Sequence, residues 1–202
     1  IEPQKRRKNR FTITLESGDV FGLSEDVFLS MPLQVGQKLD SKELEILNSL
    51  ESRTRIRDQA LILLSYRQRS RSELSQRLKE KGHGQKIIES LLDEFESKGY
   101  INDSDFANMY ATHLVEKKMT GKIAVRNKFY PHNIPDHILN PIIDKLYVSN
   151  PPLDLVKSII DKKMQTRKKT PKEKTRLVNL LKRKGFVWDE IEPAINNIDW
   201  NE

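Results

Sequence analysis

From residue 53 onward the apolar positions fall at helical spacing. Ile56, Ala60, Leu63 and Leu64 share one face of a first helix, Leu74 and Leu78 form the stripe of a second, and Ile87, Ile88, Leu91, Leu92 and Phe95 that of a third. The punctuation agrees. Ser70-x-x-Glu73 has the form of a capping box, which satisfies two free backbone N–H groups where a helix begins. Gly82 and the pair Lys98-Gly99 supply left-handed stops. Three short helices joined by tight turns thus occupy about fifty residues.

The unit then recurs. With Asn133 and Gly185 placed over Gly82, Leu74 aligns with Val125 and Leu177, and Leu78 with Phe129 and Leu181. Ile88 aligns with Leu139 and Ile191, and Leu92 with Ile143 and Ile195, at periods of 51 and then 52 residues. Pro141 and Pro193 coincide as well, each read as early in its third helix, where a missing N–H costs least. Such self-similarity marks a tandem array whose units bury apolar faces against their neighbours. The first fifty residues differ. The alternating stretch 10–15 (RFTITL), the turn signal Ser17-Gly18-Asp19 and the run Val20-Phe21-Gly22-Leu23 predict a β-hairpin. Beyond Pro32 and Gly36 a short helix is predicted over 41–50, with Ser41 as its cap. A lone hairpin is marginal in water, so this one must lean on the helices. The predicted fold is mainly α: an elongated array of three tandem three-helix repeats with a small N-terminal β-hairpin segment. Its parts are 1–50 (hairpin and short helix), 52–101, 103–147 and 150–199 (repeats one to three).

Composition narrows the function. The 202 residues include 36 basic and 29 acidic ones, a formal charge of +7, and only 36% are hydrophobic, which is lean for one large spherical core. A basic balance favours polyanions, anionic membrane surfaces or acidic proteins. There is no cysteine, which excludes disulfides and thiolate metal sites and fits a reducing compartment. The apolar runs fall far short of the ~20 residues a membrane span needs. The opening IEPQKRRKNR is basic with no apolar segment after it, so no signal peptide and a cytoplasmic location are expected. Its first residue is Ile1, which fits a chain that begins inside a longer gene product.

Three stretches, ALILLSYRQRSRSELSQRLKEKG, GYINDSDFANMYATHLVEKK and LVNLLKRKGFVWDEIEPAI, together resemble the RecX family of recombinase regulators in order and spacing. The resemblance runs from about Arg57 to Asp199, and its most specific pieces are the first repeat and Gly99-Tyr100-Ile101-Asn102-Asp103 followed by Phe106, Ala107 and Tyr110. It implies a modular protein of three-helix repeats with no catalytic activity and no cofactor. Such a protein binds the RecA recombinase filament on DNA, modulates and most simply inhibits it, and belongs to DNA repair, recombination and the SOS response. The second repeat departs from the family pattern: Phe129-Tyr130-Pro131-His132-Asn133 replaces the usual Lys-Gly stop, although Asn133 can still turn left-handed.

The basic residues cluster. Between 53 and 86 ten stand against three acidic ones, and between 162 and 184 eleven against one. Equivalent repeat positions are basic: Arg71 with Lys122 and Lys174, Lys79 with Lys182, Lys81 with Lys184. Equivalent positions point the same way in their units, so recurrence predicts a cationic stripe facing phosphates or acidic surfaces within the filament. Its candidate residues are Arg67, Arg69, Arg71, Arg77, Lys79, Lys81, Lys117, Lys118, Lys122, Lys168, Lys169, Lys174, Lys182, Arg183 and Lys184. Arginine suits this role because its planar fork binds carboxylate or phosphate through two donors. Taken singly, each of these residues reads as helix solvation, because exposed pairs contribute little. Residues 162–174 also read as a solvated connection. Reversing Arg69 and Arg71 to glutamate is expected to weaken filament inhibition and leave stability nearly unchanged.

Other constellations carry less. His83, His113, His132 and His137 have no zinc-site spacing and read as surface or helix-end histidines. Asn102-Asp103-Ser104-Asp105 lacks the rest of a calcium loop and reads as a helix cap. Gly82-His83-Gly84 is no phosphate loop. Tyr66, Tyr100, Phe106 and Tyr110 read as core packing ahead of base stacking, and Trp188 as packing or interface. No catalytic or metal site is expected. The partners expected are the RecA filament and, through the stripe, single- or double-stranded DNA, with no membrane and a monomeric chain. The alternative is a direct nucleic-acid-binding protein acting without a recombinase, its paired short helices loosely similar to helix-turn-helix geometry.

Overall fold

The computed structural model describes residues 1–5 and 9–200; of the basic N-terminal run, positions 6–8 lie outside the described residues. Among those described there are ten α-helices and one three-stranded antiparallel sheet. Two compact units emerge. The first holds Ile1–Gln68 and Leu74–Tyr100, and the second holds Arg69–Glu73 and the residues from Ile101 onward.

In the first unit β2 (Arg10–Thr14) and β3 (Val20–Ser24) form the predicted hairpin. Its turn places Gly18 at φ 91°, and the Leu15 N–H donates to the Asp19 carbonyl at 2.9 Å. A third strand, β1 (Glu2–Pro3), pairs with β2; two residues are too few to show any alternation, so the sequence did not announce it. The short α1 (Glu25–Ser30) follows β3. Ile13, Leu23, Val27, Leu33 and Leu47 form the core here, with the Phe11 and Phe28 rings 4.6 Å apart.

The short helix expected over 41–50 and the first helix of the first repeat are one element, α2 (Ser41–Tyr66), of 26 residues. Its cap is Asp40 rather than Ser41. Asp40 accepts from the Glu43 N–H at 2.8 Å and its own N–H donates to the Glu43 carboxylate at 2.9 Å, a complete capping box. Leu47 and Leu50 serve the core beneath the sheet, whereas Ile56 and Ala60 are buried further along. Between these two sets Glu51 accepts the Ser24 N–H at 2.7 Å and pairs with Arg10 at 2.6 Å, latching the sheet to the helix. The helices α3 (Arg71–Glu80) and α4 (Gln85–Ser97) complete the first triplet.

The second unit contains α5 (Asp103–Thr112), which continues into a π-helical turn at His113–Lys117, and α6 (Lys122–Phe129), which ends in a 3-10 turn at Tyr130–His132. Then come α7 (Asp136–Ser149), α8 (Pro152–Met164), α9 (Pro171–Arg183) and α10 (Trp188–Ile195). Asn102 caps α5 as read, accepting from the Ser104 and Asp105 N–H groups at 2.9 and 3.2 Å. All twelve aligned apolar positions of the three repeats are buried. Asn133 takes the left-handed conformation at φ 51°, matching Gly82 and Gly185 at φ 86°. The two prolines are less cheaply placed than expected. Pro141 and Pro193 stand in the second turn of α7 and α10, where each removes an intrahelical hydrogen bond.

Candidate anion-binding surface

The arginines opening α3 divide by role. Arg67 is exposed at the end of α2 and donates to the Gln68 carbonyl at 3.0 Å. Arg69 is ion-paired with Glu73, and its side chain is only 10% exposed. The residues that follow it, part of the second unit, are held within that unit one by one. The fully buried Ser70 hydroxyl accepts from the Glu73 N–H at 3.1 Å, capping α3, and shares a 2.8 Å hydrogen bond with His132 Nδ1. The Arg71 N–H donates to Asp103 Oδ1 at 2.8 Å. Ser72 Oγ donates to the Pro131 carbonyl at 3.0 Å and accepts from Asn133 Nδ2 at 3.3 Å. The expectation that Arg69 can be reversed without cost is therefore corrected: a glutamate there would face Glu73 in a nearly dry site. His132 does end a helical turn, but its ring packs 4.8 Å from Phe106 and 5.4 Å from Tyr110. Of the four aromatics read as core, Phe106 is buried and Tyr110 half-buried, while Tyr66 and Tyr100 are exposed.

Elsewhere the candidate cations are unequally available. Lys79, Lys81, Lys117 and Lys118 are exposed, and Arg77 is exposed with Glu80 at 3.2 Å. Lys122 pairs with Asp144 at 3.0 Å and lies 5.8 Å from the centre of the Tyr147 ring. Arg71 and Lys122 are the first residues of α3 and α6, and Lys174 falls in the first turns of α9, which starts earlier at Pro171. Lys184 faces inward. Its ammonium donates to the carbonyls of Lys118 at 2.5 Å and Met119 at 3.3 Å. Burial first, and then the charges of Lys163 and Lys118, hold it below the usual lysine pKa.

Cations converge in the third repeat. Of the stretch 162–174 read as a solvated connection, only 165–170 lies between α8 and α9, and the rest is helical; Thr170 closes the turn, its hydroxyl accepting from the Glu173 N–H at 3.3 Å. Glu173 accepts from Arg167 at 2.8 Å and from Arg176, and these two bonds hold its carboxyl below the usual carboxylate range. Beside this fork lies a groove of about 680 Å³ whose rim carries Lys163, Arg167, Arg176, Lys182 and Arg183. Met164, Leu177 and Leu180 supply its apolar lining. Among the sequence candidates Lys182 and Arg183 line it; Lys168 and Lys169 belong to the adjacent turn, and Lys174 and Lys184 are not part of its wall. Lys163 and Arg176 were missed as site residues. Arg176 had a local signal, since it stands seven residues before Arg183 on one face of α9, whereas Lys163 lies in the last turn of α8 and reaches the groove only through the chain reversal that separates the two helices. Lys182 also lies 5.8 Å from the centre of the half-exposed Trp188 ring.

Among the described residues no helix is long and apolar enough to cross a membrane. Residues 57–95 match the RecX first three-helix domain. Along its length the chain is similar to proteins named regulatory protein RecX. That of Bacillus cytotoxicus is 29% identical over 98% of this chain and 75% of its own, and that of Bacillus subtilis 28% identical over 99% and 76%. That of Clostridium tetani is 24% identical over 100% and 94%. In fold the chain is similar to a crystal structure of regulatory protein RecX, with a TM-score of 0.65 at 22% identity over 96% of both chains. A RecX structure from Lactobacillus salivarius gives 0.56 at 20% identity, over 73% of this chain and 97% of that one.

Proposed function

The chain belongs to the RecX family of regulatory proteins, and from that premise we propose that it binds the RecA filament on DNA and restrains its assembly, ATPase and strand exchange. The observation that carries this reading is the likeness, end to end, to proteins named regulatory protein RecX. The protein acts by binding and performs no bond chemistry. A folded array laid on the filament obstructs subunit addition or disturbs packing between subunits, and selects whichever filament state it binds better. The exposed cations Lys79, Lys81, Lys117, Lys118, Lys182 and Arg183 provide its electrostatic grip. Arg69 and Lys184, being engaged internally, set the shape of the surface instead. The measurement that tests the proposal is RecA ATPase on single-stranded DNA with this protein titrated in. Turnover is expected to fall, and the inhibition to weaken as salt rises; turnover that stays constant at excess protein would overturn the reading.

The two basic runs along the chain, 53–86 and 162–184, support a second reading, direct binding of nucleic acid without a recombinase. Each phosphate neutralised on a single strand adds about 0.7 to the slope of log K against log salt. A salt titration on bare single- and double-stranded DNA separates the two. Tight binding that RecA does not alter favours the second reading, and weak binding accompanied by strong ATPase inhibition favours the first.

A further inference from the structure

We propose that the groove beside α8 and α9 is a docking site for an acidic protein segment with aliphatic side chains set among its carboxylates. The rim supplies the charge complementarity. Lys163 and Arg183 form no ion pair among the described residues, and Lys182 is exposed. Arg167 and Arg176 already show what these walls hold, because they enclose the Glu173 carboxylate. The order of burial matters too. The Glu173 side chain is 15% exposed, whereas those of Arg167 and Arg176 are 49% and 59% exposed. An incoming acid therefore meets the guanidinium forks first, and each fork has donors to spare beyond those given to Glu173.

The lining selects protein over nucleic acid. Met164 and Leu180, both half-buried over the buried Leu177, offer a hydrophobic surface that charged phosphates gain nothing from covering, while leucine or valine side chains would bury there. Met164 adds a side chain that adapts to different apolar shapes. No aromatic ring lines the groove, so a base entering it finds no stacking platform. The volume, about 680 Å³, is of the size that takes a few side chains of a bound segment. The inference stands on this groove alone and holds whether or not the RecA filament is the partner.

Fluorescence anisotropy on the full chain tests it, with three labelled probes: a short peptide of Glu-Glu-Leu repeats, the same peptide with Ser for Leu, and an oligothymidylate. The Glu-Glu-Leu peptide is expected to bind in a salt-sensitive way, and the Ser version several-fold more weakly. Lys163→Glu with Arg183→Glu is expected to cut peptide binding by about tenfold or more while leaving the melting temperature in place, since both side chains are exposed. Absence of peptide binding, or binding that the double variant does not change, overturns the proposal. So does oligothymidylate binding that the same variant abolishes and the peptide cannot displace, which would make the groove a phosphate site. Recombinase activity enters none of these readouts, so a failure here leaves the filament reading untouched.

Discussion

Lys81-Gly82 and Lys184-Gly185 are the same dipeptide at the same place in the first and third repeats, and both glycines sit at φ 86°. Their surroundings are opposite. Lys81 is exposed, and a Cβ on Gly82 would meet nothing within 4 Å. A Cβ on Gly185 would collide with the Ala124 backbone, and one on Gly121 with the Gly185 carbonyl. The Gly121 N–H donates to the Lys184 carbonyl at 2.8 Å, and the Lys184 ammonium reaches back to the carbonyls of Lys118 and Met119. One turn ends a helix in open solvent; the other is a joint at which two backbones meet. A repeated sequence thus fixes a repeated backbone conformation but not a repeated job. Local sterics dictate the first, whereas the second depends on what the rest of the chain brings alongside.

The comparison can be sharpened or broken by substitution. The largest effects are expected at Leu78→Ala and Leu181→Ala, both fully buried, each costing about 2–5 kcal/mol in chemical denaturation. Similar losses at the two sites would confirm that the cores are alike even where the turns are not. Next comes Gly185→Ala, which adds overpacking against backbone to left-handed strain and should cost about 3 kcal/mol or more. Gly82→Ala meets only the strain, about 1 kcal/mol; equal costs would show that the joint is looser than described. Lys184→Met leaves the two carbonyls without their donor and should cost about 1–3 kcal/mol, against less than about 0.5 kcal/mol for Lys81→Met. The smallest effect is expected on acidification. Arg167 and Arg176 depress the Glu173 pKa, so its contribution is present above the ordinary carboxylate pKa and fades as pH falls through the depressed one. The difference in melting temperature between the parent and Glu173→Gln should close over that acidic range. The first repeat has no counterpart, since Ser70 stands at the aligned position.

What the sequence made legible was what repeats locally. Leu74, Val125 and Leu177 were readable as core because a helical period needs only neighbours three and four residues away. Asn133 was readable as a turn because few residues adopt φ above zero. The continuity of α2 was not, because its two halves present apolar residues to different cores and the stripe breaks near Glu51. Arg69 was misread although Glu73 lies four residues on, since that glutamate had been assigned to a capping box. Lys184 was beyond reach of any local pattern, as its partner carbonyls lie 66 and 65 residues earlier. The third-repeat groove was half visible: Lys182 and Arg183 came from the charge run, but Arg176 required the face of α9 to be tracked through it, and Lys163 the chain reversal between α8 and α9.

The segment Arg69–Glu73 has a practical corollary, because it opens α3 yet folds with the residues from Ile101 onward. Excising the C-terminal portion at position 101 would carry away Asp103 and His132 while leaving behind the Arg71 amide and the Ser70 hydroxyl that satisfy them. A fragment so trimmed would start life with a wound in its side. One begun before Arg69 would keep the patch that seals it.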